Sequence, residues 1–196
     1  MHGHVSYTRR PPERGQMASN LDNPTIVPLV KSNNIKVKTL KLDMHSAIKA
    51  KSYESVHVTL TVGGSSLHIM IVYRLHPIQK STVKSSDFFA EFATLIDGLS
   101  SISDKVIIAG VYNIRWHTPT ETETDKHLVE LHSANMVQHV KERVHISGHI
   151  IDLVVTREGQ NILGNLQVSS MLSDHFVVQA DLRMSRPQEK TLKSEH

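Results

Sequence analysis

The chain contains no cysteine in its 196 residues. That absence excludes a disulfide scaffold, a cysteine-based zinc finger, an iron–sulfur cluster and a thiolate nucleophile. Long apolar runs are missing too: no segment approaches the ~18 apolar residues needed to cross a bilayer. Met1 to Pro12 has no apolar core of a secretory leader and carries Arg9 and Arg10 instead. The expectation is an intracellular soluble protein with no membrane partner. A strong charge of one sign is also lacking, since 22 Lys and Arg face 19 Asp and Glu, a net charge of +3. A nucleic-acid footprint would need clustering of that charge on one face. The densest basic runs, Lys36, Lys38, Lys41 and Lys49, Lys51, read as solvated surface. No internal repeat occurs.

What remains is an ordinary globular composition, 39% hydrophobic and 21% charged, with 14 histidines. The length suits one domain. A chain of this size hides roughly 70% of its unfolded surface. Residues 1–34 are punctuated by Pro11, Pro12, Gly15, Asn20, Pro24 and Pro28 and hold no period, so they are expected to be irregular apart from a short strand at Ile26–Val30. The polar stretch 185–196, with Pro187, is expected to be a tail. A single domain should occupy 35–184.

Within that domain the periodicity is sharper. Ser55–Val62 alternates, with Val56, Val58, Leu60 and Val62 on one face; Gly63-Gly64 turns the chain, and Leu67–Tyr73 resumes as strand. Ser86 or Asp87 caps a helix whose apolar stripe is Phe88, Phe92, Leu95, Ile96 and Leu99. Lys105–Gly110 and Ile150–Thr156 are short apolar runs that read as buried strands. Thr124 to Asn135 reads as a second helix, with Leu128, Leu131 and Ala134 or Met136 facing in. Asn161–Ser169 reads as an edge strand and Phe176–Leu182 as the last one. Strands dominate and helices intervene, which is an α/β or α+β pattern with packed sheets.

Three places break the apolar pattern. Asp152 lies inside Ile150–Val155, where a carboxylate needs a purpose or a partner; it either points outward, pairs with a base, or faces a polar site. Ser173-Asp174-His175 precedes the last strand and sets a carboxylate beside an imidazole. Gly110-Val111-Tyr112-Asn113 carries a buried strand out into a loop, the usual place for a site on a sheet scaffold.

Taken in order, these segments resemble the endonuclease/exonuclease/phosphatase superfamily, and in detail the endonuclease domain of LINE-type non-LTR retrotransposons. Tyr73–Pro77 resembles that family's Tyr-Arg-Pro-Pro segment, and Asp87–Phe92 the helix after it. Asp104–Asn113 resembles its strand ending Gly-Asp-Phe-Asn, with Ile114-Arg115-Trp116 as the continuation. Val137–Val140 and His145–Arg157 resemble its next stretch, and Leu172–Val178 its Ser-Asp-His close. The likeness covers about residues 54–182.

The resemblance implies a four-layer αββα sandwich of two mainly antiparallel sheets and Mg²⁺-dependent cleavage of phosphodiester bonds in DNA. It implies that His175 hydrogen-bonds the phosphate, that Asp152 orients His175, and that Asp174 lies beside the metal or the leaving group. Asn113 would donate its amide to phosphate or water, and Tyr73 would place a phenol near the same oxygens. Two departures oppose catalysis. The aspartate of Gly-Asp-Phe-Asn is Val111 here, which accepts no proton and ligates no metal. The family's opening strand with an Asn, and its next strand ending in a metal-binding Glu, have no counterpart, so the N-terminal sheet is expected to be incomplete. A crippled relative or an interaction module is therefore expected. The alternative is an active Mg²⁺-dependent enzyme that recruits Asp43, Asp104 or Asp125 as a replacement carboxylate. A histidine-based metal site has little local support: His145 and His149 are four apart, but Ser147 and Gly148 oppose a helix there. His175 is the one histidine expected to act; the other thirteen read mostly as surface or loop.

Overall fold

In the computed structural model the described residues are 2–9, 26–32, 40–45, 50–62, 64–75, 83–116 and 129–184. They form ten strands: β1 (His2–Arg9), β2 (Ile26–Ser32), β3 (Leu40–His45), β4 (Tyr53–Val62), β5 (Ser65–Arg74), β6 (Lys105–Val111), β7 (Met136–Gln138), β8 (Asp152–Arg157), β9 (Leu163–Met171) and β10 (Phe176–Arg183). Helix α1 spans Ser85–Ser100, and residues 129–133 are also helical. A six-stranded sheet runs β3-β4-β5-β6-β8-β7 and a four-stranded sheet runs β2-β1-β10-β9.

The larger sheet grows from the β4–β5 hairpin. Val62 pairs with Ser65 across a two-residue turn, and Gly64 supplies the positive φ of 84° that such a turn needs. β5 and β6 are parallel. A parallel pair requires a crossover, and α1 is that crossover. Asp87 accepts the Lys84 backbone N–H at 2.8 Å, so the helix starts at Ser85, two or three residues earlier than a Ser86 or Asp87 cap would give. Phe88, Phe89, Phe92, Leu95, Ile96 and Leu99 are buried on its inner face. Each contributes roughly 1.5–3 kcal/mol by leaving water.

The sheet register separates two faces. Tyr53 and Arg74 pair on the face that meets α1: Tyr53 stands edge-on to Phe88, and the Arg74 guanidinium lies 4.8 Å from the Phe88 ring centre. Arg74 is 2% exposed and donates to Ser85 Oγ and Tyr112 O. It is a structural cation that ties the strand end to the helix start. The other face carries Val58, Leu60, Ile69, Ile71, Ile107 and Val154, which share one buried cluster with Val178 and Leu182 of β10. This is the packing of two sheets face to face. The described helical residues lie on the outer side of the larger sheet, and none of the described residues forms a helix over the smaller one.

Several expectations are corrected. The segment 1–34 is not simply irregular. β1 pairs with β10 on one side and β2 on the other, so it fills an interior position of the sheet that had been expected to be incomplete. The reason is tertiary: β1 is polar and aperiodic, and its strand conformation follows from its partners rather than from an apolar stripe. Neither β1 nor β2 contains Asn or Glu. The second helix ends sooner than expected, because Asn135 takes a φ of 52° and Met136 begins β7 instead of facing in from a helix. Residues 124–128 of that helix, including Leu128, and the tail 185–196 lie outside the described residues.

The histidines are less peripheral than expected. His139 is half-buried, with its Nε2 2.8 Å from Thr156 Oγ1. Burial, helped by Lys141, holds its pKa below the ordinary imidazole value. The unfolded chain therefore takes up this proton first as pH falls. The stabilisation is complete above an unfolded pKa of about 6.5 and is lost as pH drops through the folded value. A His139→Gln variant should show a flatter fall of melting temperature than the parent when pH is lowered from neutral into the acid range. An unchanged slope would remove His139 as the cause.

Candidate functional site

The strand pairings assemble the site before any side chain is considered. Glu54 pairs with Tyr73, Tyr73 with Val111, and Val111 with Asp152. Paired residues project to the same face. Four strands thus set one row, Glu54–Tyr73–Val111–Asp152, at the end of the inner face. Neighbouring strands are about 4.8 Å apart, so Tyr73 and Asp152 stand roughly 10 Å from each other with Val111 between them. Tyr73 and Val111 are half-buried and Glu54 is exposed.

Asp152 is 1% exposed. Its Oδ2 lies 2.8 Å from His175 Nδ1 and its Oδ1 lies 3.1 Å away. The open reading of the sequence is settled geometrically: the carboxylate faces inward and pairs with an imidazole. Burial pushes the Asp152 carboxyl above the ordinary carboxylate range, and Asp174 adds to this, while the His175 hydrogen bond and the charges of His175 and His145 pull the other way. Orientation of His175 through Nδ1 makes Nε2 the ring atom that a ligand would meet.

His175 sits in the β9–β10 connection, which is not left to wander. His145 and His175 form an isolated antiparallel bridge. Ile146 N donates to Asp174 O at 2.9 Å, and Phe176 N donates to Val144 O at 2.8 Å. The 144–149 turn closes on itself through Gly148 N to His145 O, with Gly148 at a φ of 81°. Asp174 is half-buried, accepts Ser173 Oγ at 2.9 Å and holds Oδ2 3.6 Å from His145 Nε2.

Asn113 follows β6 at a φ of 52° and donates one amide N–H to Arg74 O at 2.9 Å. It pins the ends of β5 and β6 together, next to the row. Among the described residues, the expected replacement carboxylates are not there. Asp104 precedes Lys105 at the opposite end of β6 from Val111. Asp43 is in register with Thr59, five residues along β4 from Glu54. Asp125 lies outside the described residues. Two residues of the neighbourhood are not site candidates in the sequence: Glu54, which joins the row only through register, and His145, which the sequence sets beside His149 and the fold sets beside His175.

No protein-family model matches the sequence, and no curated protein matches it significantly. Solved structures do. The endonuclease domain of TRAS1, a telomere-specific non-LTR retrotransposon, superposes with a TM-score of 0.58 at 11% identity, covering 91% of this chain and 78% of that one. Humanized TDP2 of D. rerio gives 0.49 at 10% identity, covering 73% and 68%. An endonuclease/exonuclease/phosphatase family protein from Leptotrichia buccalis gives 0.49 at 11% identity, covering 76% and 62%. At such identities the shared property is the fold. The chain therefore has the two-sheet sandwich fold of that retrotransposon endonuclease domain.

Proposed function

We propose that the chain is a DNA-phosphate-binding relative of a phosphodiester-cleaving endonuclease domain in which hydrolysis is crippled. The observation that carries this reading is the row itself. The Asp152–His175 pair and Tyr73 are assembled, yet Val111 occupies the position between them. His175, held through Nδ1, presents Nε2 to a phosphoryl oxygen, and the Tyr73 phenol adds a second donor. Donors aimed at phosphate oxygens stabilise negative charge there. A proton acceptor at the Val111 position is what the row lacks, and loss of such a base costs on the order of 10²–10⁴ in rate.

The family's Mg²⁺ fits this donor set poorly. Mg²⁺ is a hard cation that binds through carboxylate, phosphate and water oxygens. Here Val111 is apolar, β1 and β2 bring no Asn or Glu, and Asp152 is committed to His175. Asp174 remains, flanked by imidazoles. No hydrolytic step is therefore assigned to this ion.

The test is plasmid binding and nicking. The chain should bind DNA in a salt-sensitive manner and leave supercoiled plasmid intact in Mg²⁺ as in EDTA. Robust Mg²⁺-dependent nicking that vanishes on His175→Ala would overturn the crippled reading. One observation favours a second reading, an active enzyme: Glu54 shares the row, and a long carboxylate there could stand in for the missing one. In that case nicking is present and Glu54→Gln abolishes it.

A further inference from the structure

His145 has no part in the function proposed above, yet it is built into the site. Ligand atoms of His145, Asp174 and His175 all lie within 4.8 Å of one another. The two imidazoles meet edge to face with centres 4.9 Å apart, and His145 Nε2 is 3.6 Å from Asp174 Oδ2. The backbone bridge between His145 and His175 fixes their spacing before any ligand arrives. All three side chains are half-buried, so they are partly desolvated and still reachable.

Each of the three also has a supporting partner on its far side. Asp152 holds His175 Nδ1 at 2.8 Å. Ser147 Oγ contacts His145 Nδ1, and Ser173 Oγ donates to Asp174 Oδ1. At His175 such an outer contact sets the tautomer and aim of a metal-ligating histidine, leaving Nε2 as the ligand atom; at His145, whose Nδ1 accepts the Ser147 backbone N–H at 3.1 Å, an ion takes Nε2 once the ring proton moves to Nδ1, where Ser147 Oγ can accept it. A carboxylate–histidine–metal arrangement is thus prefigured at His175.

We propose that His145, Asp174 and His175 form a transition-metal site selective for Zn²⁺ or Co²⁺ over Mg²⁺. Two imidazoles and one carboxylate suit borderline ions, whereas Mg²⁺ prefers an all-oxygen set. Three protein ligands leave a fourth position for water or an anion oxygen. Metal–ligand bonds of about 2.0–2.1 Å place tetrahedral donors roughly 3.3 Å apart. The His145–Asp174 pair is already near that spacing, and rotation of the imidazoles closes the remainder. The site goes beyond the proposed function and does not depend on whether the chain cleaves DNA.

The experiment is a calorimetric titration of the full chain with Zn²⁺ alone, repeated with Co²⁺ while following its visible absorption. One equivalent should bind tightly and give the intense bands of a tetrahedral Co²⁺ site, and excess Mg²⁺ should not displace it. Asp152→Asn should weaken binding about 10–100-fold, as loss of an outer-shell partner does. His145→Asn and Asp174→Asn should weaken it at least as much. His57→Asn, in the separate His57–His68 pair, should leave it unchanged. Absence of binding by the parent chain, binding that survives His145→Asn or Asp174→Asn, or displacement by Mg²⁺ would each overturn the site. Folding is controlled by melting each variant in chelator and again in Zn²⁺: only chains that hold the ion gain stability from it. Loss of Zn²⁺ binding with DNA binding intact defeats this site alone, and the reverse result defeats the function proposed above.

Discussion

A Val111→Asp variant should gain Mg²⁺-dependent nicking over the parent chain by on the order of 10²–10⁴, the usual worth of a positioned general base. The new carboxylate would stand in the row between Tyr73 and Asp152, one strand from the Asp152–His175 pair, and would add the oxygen ligand that Mg²⁺ lacks here. It carries a cost: a second carboxylate beside Asp152 raises the charge that must be held there and pushes the Asp152 pKa further up. Melting temperature should fall modestly while activity rises. Supercoiled-plasmid relaxation in Mg²⁺ and in EDTA, with a melt recorded on the same sample, measures both. A native-like melt with no gain in nicking would mean that position 111 is not the principal block, and that the oxygen ligands absent from β1 and β2 are.

The largest stability effect should come one residue earlier. Gly110 is buried in β6 at a φ of 146°, and a Cβ built there would lie 1.8 Å from Val72 O. Val72 C and N would be 2.8 and 2.9 Å away. These are backbone atoms of the neighbouring strand, locked in the parallel β5–β6 ladder, so no side-chain rotation relieves the clash. Gly110→Ala should cost on the order of 4 kcal/mol or more, in the range reserved for severe steric defects. A urea melt would read this as a midpoint collapse. A loss below about 1 kcal/mol, within the range of ordinary substitutions, would show that β5 and β6 do not approach this closely. The same close approach brings Tyr73 and Val111 abreast, so the glycine serves the site through the sheet.

Much of the larger sheet was legible because its residues obey one period at a time. Val56, Val58 and Leu60 alternate, the α1 phenylalanines recur at helical spacing, and β6 and β8 are short apolar runs. Asp152 stood out because a carboxylate in such a run is costly without a partner. Its partner was predictable only through the resemblance to the retrotransposon domain, since twenty-three residues separate Asp152 from His175. β1 was invisible for the opposite reason. His2-Gly3-His4-Val5-Ser6-Tyr7 has little intrinsic strand signal, and its conformation comes from β10 and β2. Glu54 joined the row through three successive ladders, a relation that no local window contains. His145 met His175 through a loop-to-loop bridge, which leaves no periodic trace. Asn113 was legible as a residue near the site, but its hydrogen bond to the Arg74 carbonyl shows a second duty, pinning strand ends.

Strand β8 carries Asp152 at one end and Arg157 at the other. The Arg157 guanidinium donates to the carbonyls of Leu99 and Ile102 at the end of α1, and to Asp104 O at 3.2 Å. β8 therefore acts as a tie between the closing turn of the helix and the histidine of the site, over five residue steps of about 3.3 Å each. Opening of the helix end and slackening of the site belong to one cooperative unit. Amide hydrogen exchange should report it directly: the backbone amides of 99–102 and of 152–157 should exchange with a common opening free energy, and Arg157→Ala should lower both together although it lies far from any chemistry.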